Sequence, residues 1–176
     1  MKTLVINLFG GPGSGKSTGA AYIFSQLKTK GFDCELVTEF AKDKVWEDNK
    51  EVFKNQFYIT GKQSFKISRC NGKVNIIITD SPILLGAIYE DSKKFKAAVL
   101  EEFNKYRNLN FFIIRQKEYN PNGRNQTEEE AKLIDEKILN YLNENKVNYT
   151  LCLGDISGYD FIVDYIITLL NNEQHT

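Results

Sequence analysis

Residues Gly10-Gly11-Pro12-Gly13-Ser14-Gly15-Lys16-Ser17 fit the pattern G-x-x-x-x-G-K-[ST]. An apolar run over residues 3–9 precedes them, and a stretch of helical periodicity from 16 to about 30 follows, closed by Gly31. The pattern needs this strand–loop–helix setting. Glycines let backbone N–H groups converge on an anion without Cβ clashes, and the helix N-terminus adds partial positive charge. The segment therefore reads as a cradle for the phosphates of a nucleoside triphosphate. Gly11, Gly13, Ser14, Gly15, Lys16, Ser17 and Thr18 are the expected nucleotide-binding residues. Lys16 is placed to bridge the β and γ phosphates, and the Ser17 hydroxyl to ligate Mg²⁺.

The rest of the chain continues the alternation. Short apolar strands are expected at 34–38, 74–79, 109–115 and 148–153. Helices are expected at 51–70, 92–107, 127–145 and 159–171, the third opened by a Thr127–Glu130 capping box. Phe53, Phe57, Thr60 and Ser64 share one face of the 51–70 helix, which Gly61 weakens. Strands alternating with helices at this spacing predict an α/β fold with a parallel sheet covered on both sides. With three prolines and no repeat or linker, residues 1–176 read as a single domain.

Composition narrows the classes. The 23 basic and 23 acidic residues cancel, so a chain that wraps nucleic acid over its whole surface is not expected. No run approaches the roughly 18 apolar residues of a membrane span, and the N-terminal apolar run enters a glycine loop rather than a cleavage site. Cys34, Cys70 and Cys152 are odd in number and widely spaced, which reads as reduced thiols in a cytoplasmic protein. The guanine motif N-K-x-D is missed at Asn104-Lys105-Tyr106-Arg107, and the switch motif D-x-x-G at Asp80-Ser81-Pro82-Ile83, which speaks against a GTPase. A remodelling ATPase needs a longer core and a helical lid domain. A single-domain phosphotransferase remains.

Three further features belong to that reading. Asp80 ends the 74–79 strand, where a carboxylate holds Mg²⁺ directly or through water; its plainer role is a helix N-cap. Glu39 ends the second strand, facing the crevice where an acceptor binds, and is a candidate base unless it is a solvated loop residue. The polar segment at about 116–127 is suited to close as a lid, carrying Arg124 with Arg115 just before it. Both arginines are candidates to neutralise a transferring phosphoryl group, or else to pair with Glu128 or Glu129. Lys62, Lys66, Arg69 and Lys73 follow helical spacing and make a basic stripe, either a solvated face or a contact for a phosphate-bearing acceptor. Tyr58 reads as core or as a base-stacking residue, Gln63 as a base contact, and Trp46 as a wall of the crevice.

The segments Gly10–Thr18, Thr38–Asp43, Thr79–Pro82 and Gly123–Ala131 together resemble small P-loop kinases common in bacteriophage genomes. They are similar to the nicotinamide riboside kinase domain of bacterial NAD-salvage proteins and to kinases that phosphorylate 5-hydroxymethyluracil in phage DNA. The resemblance implies a five-stranded sheet of order 2-3-1-4-5, ATP as donor with Mg²⁺, and transfer to a hydroxyl of a nucleoside-like acceptor. By position it assigns Lys16 and Ser17 to phosphate and Mg²⁺, Asp80 to the metal, Glu39 to the acceptor and Arg124 to the lid. The loop 154–158 would hold adenine through backbone groups. The implied partners are a small nucleoside-like substrate or DNA containing a modified base, with no membrane partner and room for a homodimer; the compartment is the cytoplasm, the host's if the chain is phage-encoded.

Overall fold

The computed structural model describes residues 2–48, 50–116, 118–120 and 127–174. Five parallel strands form one sheet in the order β2-β3-β1-β4-β5. They are β1 (Leu4–Phe9), β2 (Cys34–Val37), β3 (Ile76–Thr79), β4 (Arg107–Ile114) and β5 (Thr150–Leu153). The central β1 is buried over all six residues, as expected of a strand covered on both faces. Its register pairs Leu4 with Ile76 on one side and with Arg107 on the other.

Side-chain alternation along β1 divides the interior into two layers. Leu4, Ile6 and Leu8 face α1 (Lys16–Thr29) and α6 (Ile156–Gln174), packing with Ile23, Leu27, Tyr159 and Ile166. Val5 and Phe9 face the opposite layer, with Ile67 of α3 (Gln56–Ser68), Val99 of α4 (Lys93–Asn104) and Ile138 of α5 (Glu128–Glu144). Asn7 interrupts the apolar run without cost because its amide donates to Asn108 Oδ1 at 2.9 Å and Asn110 Oδ1 at 3.0 Å. The Thr127 capping box is present in both directions, side chain to Glu130 N–H and Glu130 carboxylate to Thr127 N–H.

Several elements depart from the sequence expectation. A short helix α2 (Phe40–Trp46) and a 3₁₀ turn (Lys50–Lys54) precede α3, and a second 3₁₀ turn (Ile83–Ile88) follows β3. The 154–158 segment is not a free loop: α6 starts at Ile156, with Asp155 Oδ1 accepting from Gly158 N–H at 3.0 Å. Arrangement matters most at one edge. The carboxyl ends of β1, β2, β3 and β4 deliver the glycine loop, Glu39, Asp80 and Arg115 to one side of the sheet. The strand order reverses at β1, the place where ligands bind in open α/β sheets.

Candidate active site

The glycine loop turns α1 into the crevice. Gly15 caps α1 at φ 106°, a left-handed conformation that a residue with Cβ adopts only under strain. Among the described residues no side chain caps the helix, which leaves its first N–H groups for a ligand. Tyr159 of α6 braces the loop from below by donating its hydroxyl to Gly15 O at 2.9 Å. Lys16 reaches back to donate its Nζ to Gly11 O at 2.8 Å. Burial pulls the Lys16 ammonium below its ordinary value, against the opposing pull of Glu39, Asp80 and Asp135. Anionic phosphates would reverse that penalty.

Gly13, Gly15, Lys16, Ser17 and Thr18 line a cavity of about 500 Å³. Gly11 and Ser14, also expected to bind phosphate, do not line it. The Gly11 N–H donates instead to Asp135 Oδ1, and Ser14 is buried with its hydroxyl unpartnered among the described residues.

Glu39 begins α2 without using its carboxylate as a cap, so the side chain is free to line the cavity. Burial and the nearby Asp80 push its carboxyl above the ordinary carboxylate value, partly offset by Lys16. Its backbone is held from both sides: Phe40 N–H donates to Gln63 Oε1 at 2.9 Å, and Lys66 Nζ to Thr38 O at 2.6 Å. Asp80 is 4% exposed, and its Oδ1 is buried with no partner among the described residues. It caps no helix, since the following 3₁₀ turn starts after Pro82. An orphaned carboxylate oxygen just behind the cavity wall, one residue before the lining Ser81, with Ser17 on that wall, suits a hard divalent cation. Among the described residues no three His, Cys, Asp or Glu side chains gather into a metal site, so phosphate oxygens would complete the shell.

Arg115 is anchored on the phosphate loop. Its guanidinium donates to Pro12 O at 2.5 Å and to Asp135 Oδ2 at 2.8 Å, behind the loop, and it pairs with neither Glu128 nor Glu129. Glu128 pairs with Lys132. Arg124 and most of the expected lid lie outside the described residues. Asp135 carries no signal in the sequence.

Part of the cavity wall comes from α3. Ile59, Thr60 and Gln63, buried on that helix, line it together with Gln56, while Phe57 is 67% exposed. The helix is thus turned by about a residue from the face expected through Phe57 and Ser64. Tyr58 is not core; it is 42% exposed, edge-on to Phe40 and beneath Lys62. Trp46, at the exposed end of α2, does not wall the cavity, and none of Lys62, Lys66, Arg69 and Lys73 lines it. Gln63 lines it, with its carbonyl already committed to Phe40.

A nucleotide-phosphate loop at the switch point of a 2-3-1-4-5 parallel sheet defines a P-loop nucleotide-binding protein. Residues 5–157 match the family described as an AAA domain, and the chain belongs to that family. No curated protein matches it in sequence. Its fold is similar to that of deoxyadenosine kinase from M. mycoides, solved with dCMP and dCDP (19% identity, TM-score 0.56, covering 96% of this chain and 99% of that one). Thymidylate kinase from Ehrlichia chaffeensis is similar as well, at 13% identity and TM-score 0.62, with 97% and 100% covered. These likenesses establish the five-stranded kinase-type P-loop fold. No helix of the described residues is long and apolar enough to cross a membrane.

Proposed function

We propose that the protein is an ATP-dependent kinase that phosphorylates a hydroxyl of a small nucleoside-like acceptor. One observation carries the reading: the phosphate loop and Glu39 wall the same cavity, which Thr60, Gln63, Phe53 and Leu85 also line. These residues offer apolar surface and a few polar groups, the lining expected around a heterocycle and sugar.

In the mechanism, backbone N–H groups from Gly13 to Thr18 orient the triphosphate. Lys16 leaves the Gly11 carbonyl for the β and γ oxygens. Ser17 and Asp80 would hold Mg²⁺, which supplies neutralising charge to the phosphates. The acceptor oxygen forms a bond to Pγ as the bond from Pγ to the β-bridging oxygen breaks, and ADP departs. Glu39 takes the acceptor's proton; its raised affinity for a proton fits that role better than Asp80, which is withdrawn from the cavity. Positioning and charge carry most of the acceleration.

The family's description as an AAA domain favours a second reading, an ATPase switch whose only acceptor is water. Phosphorus NMR separates the two. Incubation with ATP, Mg²⁺ and a panel of nucleosides, nucleotides, nicotinamide riboside and hydroxymethylated DNA is expected to yield a new phosphomonoester from a free nucleoside-type acceptor. Inorganic phosphate as the sole product throughout would refute the kinase reading. A phosphorylated DNA strand with every small molecule inert would overturn the small-acceptor part of it.

A further inference from the structure

We infer that Asp135 is a positioning residue for phosphoryl transfer: its carboxylate sets Arg115 against the tip of the phosphate loop and pins the loop at Gly11. The inference rests on the kinase reading above. Both oxygens are used, Oδ1 by the Gly11 N–H and Oδ2 by Arg115 Nη2 at 2.8 Å. The Arg115 and Asp135 side chains are only 11% and 20% exposed. Arg115 Nη1 holds the Pro12 carbonyl, so the guanidinium grips the loop over two consecutive residues, one directly and one through Asp135. It lies against Gly13, where a Cβ would come within 2.9 Å of Nη1, and Gly13 is a wall of the cavity. The Tyr119 ring lies beneath the same guanidinium, 5.9 Å from centroid to Cζ.

Two facts argue that this is more than a clip. Arg115 Nε is buried with no acceptor among the described residues, a cost a purely structural ion pair would be expected to avoid. The arginine also stands near a second cation of the loop, Lys16, which is disfavoured by Arg115 and favoured by Asp135. Asp135 therefore makes it tolerable to keep a second cation at the loop before any phosphate arrives. When negative charge develops on the transferring group, a fixed guanidinium beside Gly13 stabilises it without first having to be ordered.

The test is a double-mutant cycle on turnover per folded molecule. Asp135→Asn keeps an oxygen for the Gly11 N–H and removes the charge that holds Arg115. It is expected to lower kcat about 10-fold or more, in the range of lost orienting partners, with a smaller change in KM for ATP. Arg115→Ala is expected to lower kcat at least as much, and the double variant no further than Arg115→Ala alone. Asp135→Glu is expected to recover part of the loss, and with Arg115→Lys it carries the cycle if the asparagine variant does not fold. Losses that multiply in the double variant, or an unchanged kcat in Asp135→Asn, would overturn the inference. The kinase reading fails separately, by wild-type protein that transfers phosphate only to water; the same cycle read on phosphate release still decides the role of Asp135.

Discussion

Gly19 lies in the first turn of α1, immediately after the phosphate loop, and an alanine there tests how the loop is braced. In an open helix, Gly→Ala gains roughly 1 kcal/mol from lower backbone entropy in the unfolded chain. Here a Cβ on Gly19 would lie 2.5 Å from Tyr159 Cε1 and 2.9 Å from Cδ1. The ring cannot step aside cheaply, because Tyr159 is 1% exposed and packs against Tyr22 with ring centroids 6.0 Å apart. Overpacking of this kind costs about 1–3 kcal/mol. A displaced ring also forfeits the hydrogen bond from its hydroxyl to Gly15 O, worth about 1 kcal/mol.

Gly19→Ala is therefore expected to destabilise by about 1–3 kcal/mol net, lowering Tm by roughly 2–12 °C for a domain of this size. It is also expected to weaken ATP binding, since Gly15 would lose its brace. Gly61 provides the control. It lies within α3, and a Cβ added there would meet nothing within 4 Å, so Gly61→Ala should raise Tm by about 1–4 °C. Thermal denaturation followed by circular dichroism reads both. If Gly19→Ala melts at or above the wild-type temperature while Gly61→Ala is stabilised as expected, the bracing of the loop by Tyr159 is refuted.

Lys16→Ala is expected to cut turnover by about 10²-fold or more without unfolding the protein, by analogy with loss of one preorganised charge donor; turnover within twofold of wild type would contradict its placement on the phosphates. Glu39→Gln should lower kcat while leaving ATP affinity, read by calorimetry, nearly unchanged. Because burial raises the Glu39 carboxyl, the rise of kcat/KM with pH should be centred above the ordinary carboxylate value and vanish in that variant. The same raised proton affinity stabilises the ligand-free fold below the unfolded value, and that contribution is lost as pH climbs through the folded one, so Glu39→Gln should flatten this part of the stability profile. Asp80→Asn should shift the Mg²⁺ concentration for half-maximal activity upward by about 10-fold or more, the scale of a weakened metal contact; an unshifted Mg²⁺ titration would remove Asp80 from the metal site.

How much of this is legible in the sequence depends on where each signal resides. The loop and the strands are, because a glycine pattern and a buried apolar run are local properties of the chain. Glu39 and Asp80 follow from strand ends alone. The helix α2 is not visible: it is seven residues long, buries none of them and has no side-chain cap, so neither periodicity nor capping marks it. Asp135 is silent for another reason. A single acid on an amphipathic helix looks like a solvated position, and only the packing of α5 behind the loop turns it toward Gly11 and Arg115.

The helix α3 shows why the acceptor side is harder to read than the donor side. Sequence reasoning seeks the apolar face of a helix and assigns it to the core. On α3 the inward face is part core and part cavity wall, so Thr60 and Gln63 are buried while Phe57 and Phe65 are 67% and 64% exposed. Thr60 Oγ1 is buried without a partner among the described residues, and Thr60 is one of the residues that line the cavity. A polar atom buried at a cost is tolerated where a ligand satisfies it. The basic positions of the same helix point elsewhere: Lys62 covers Tyr58, and Lys66 is tied to the Thr38 backbone that carries Glu39. On α3, polar groups inside the cavity and cations outside it support an enclosed small acceptor over a polyanion laid along the helix. The inverted polarity of α3 is itself the mark of a binding wall.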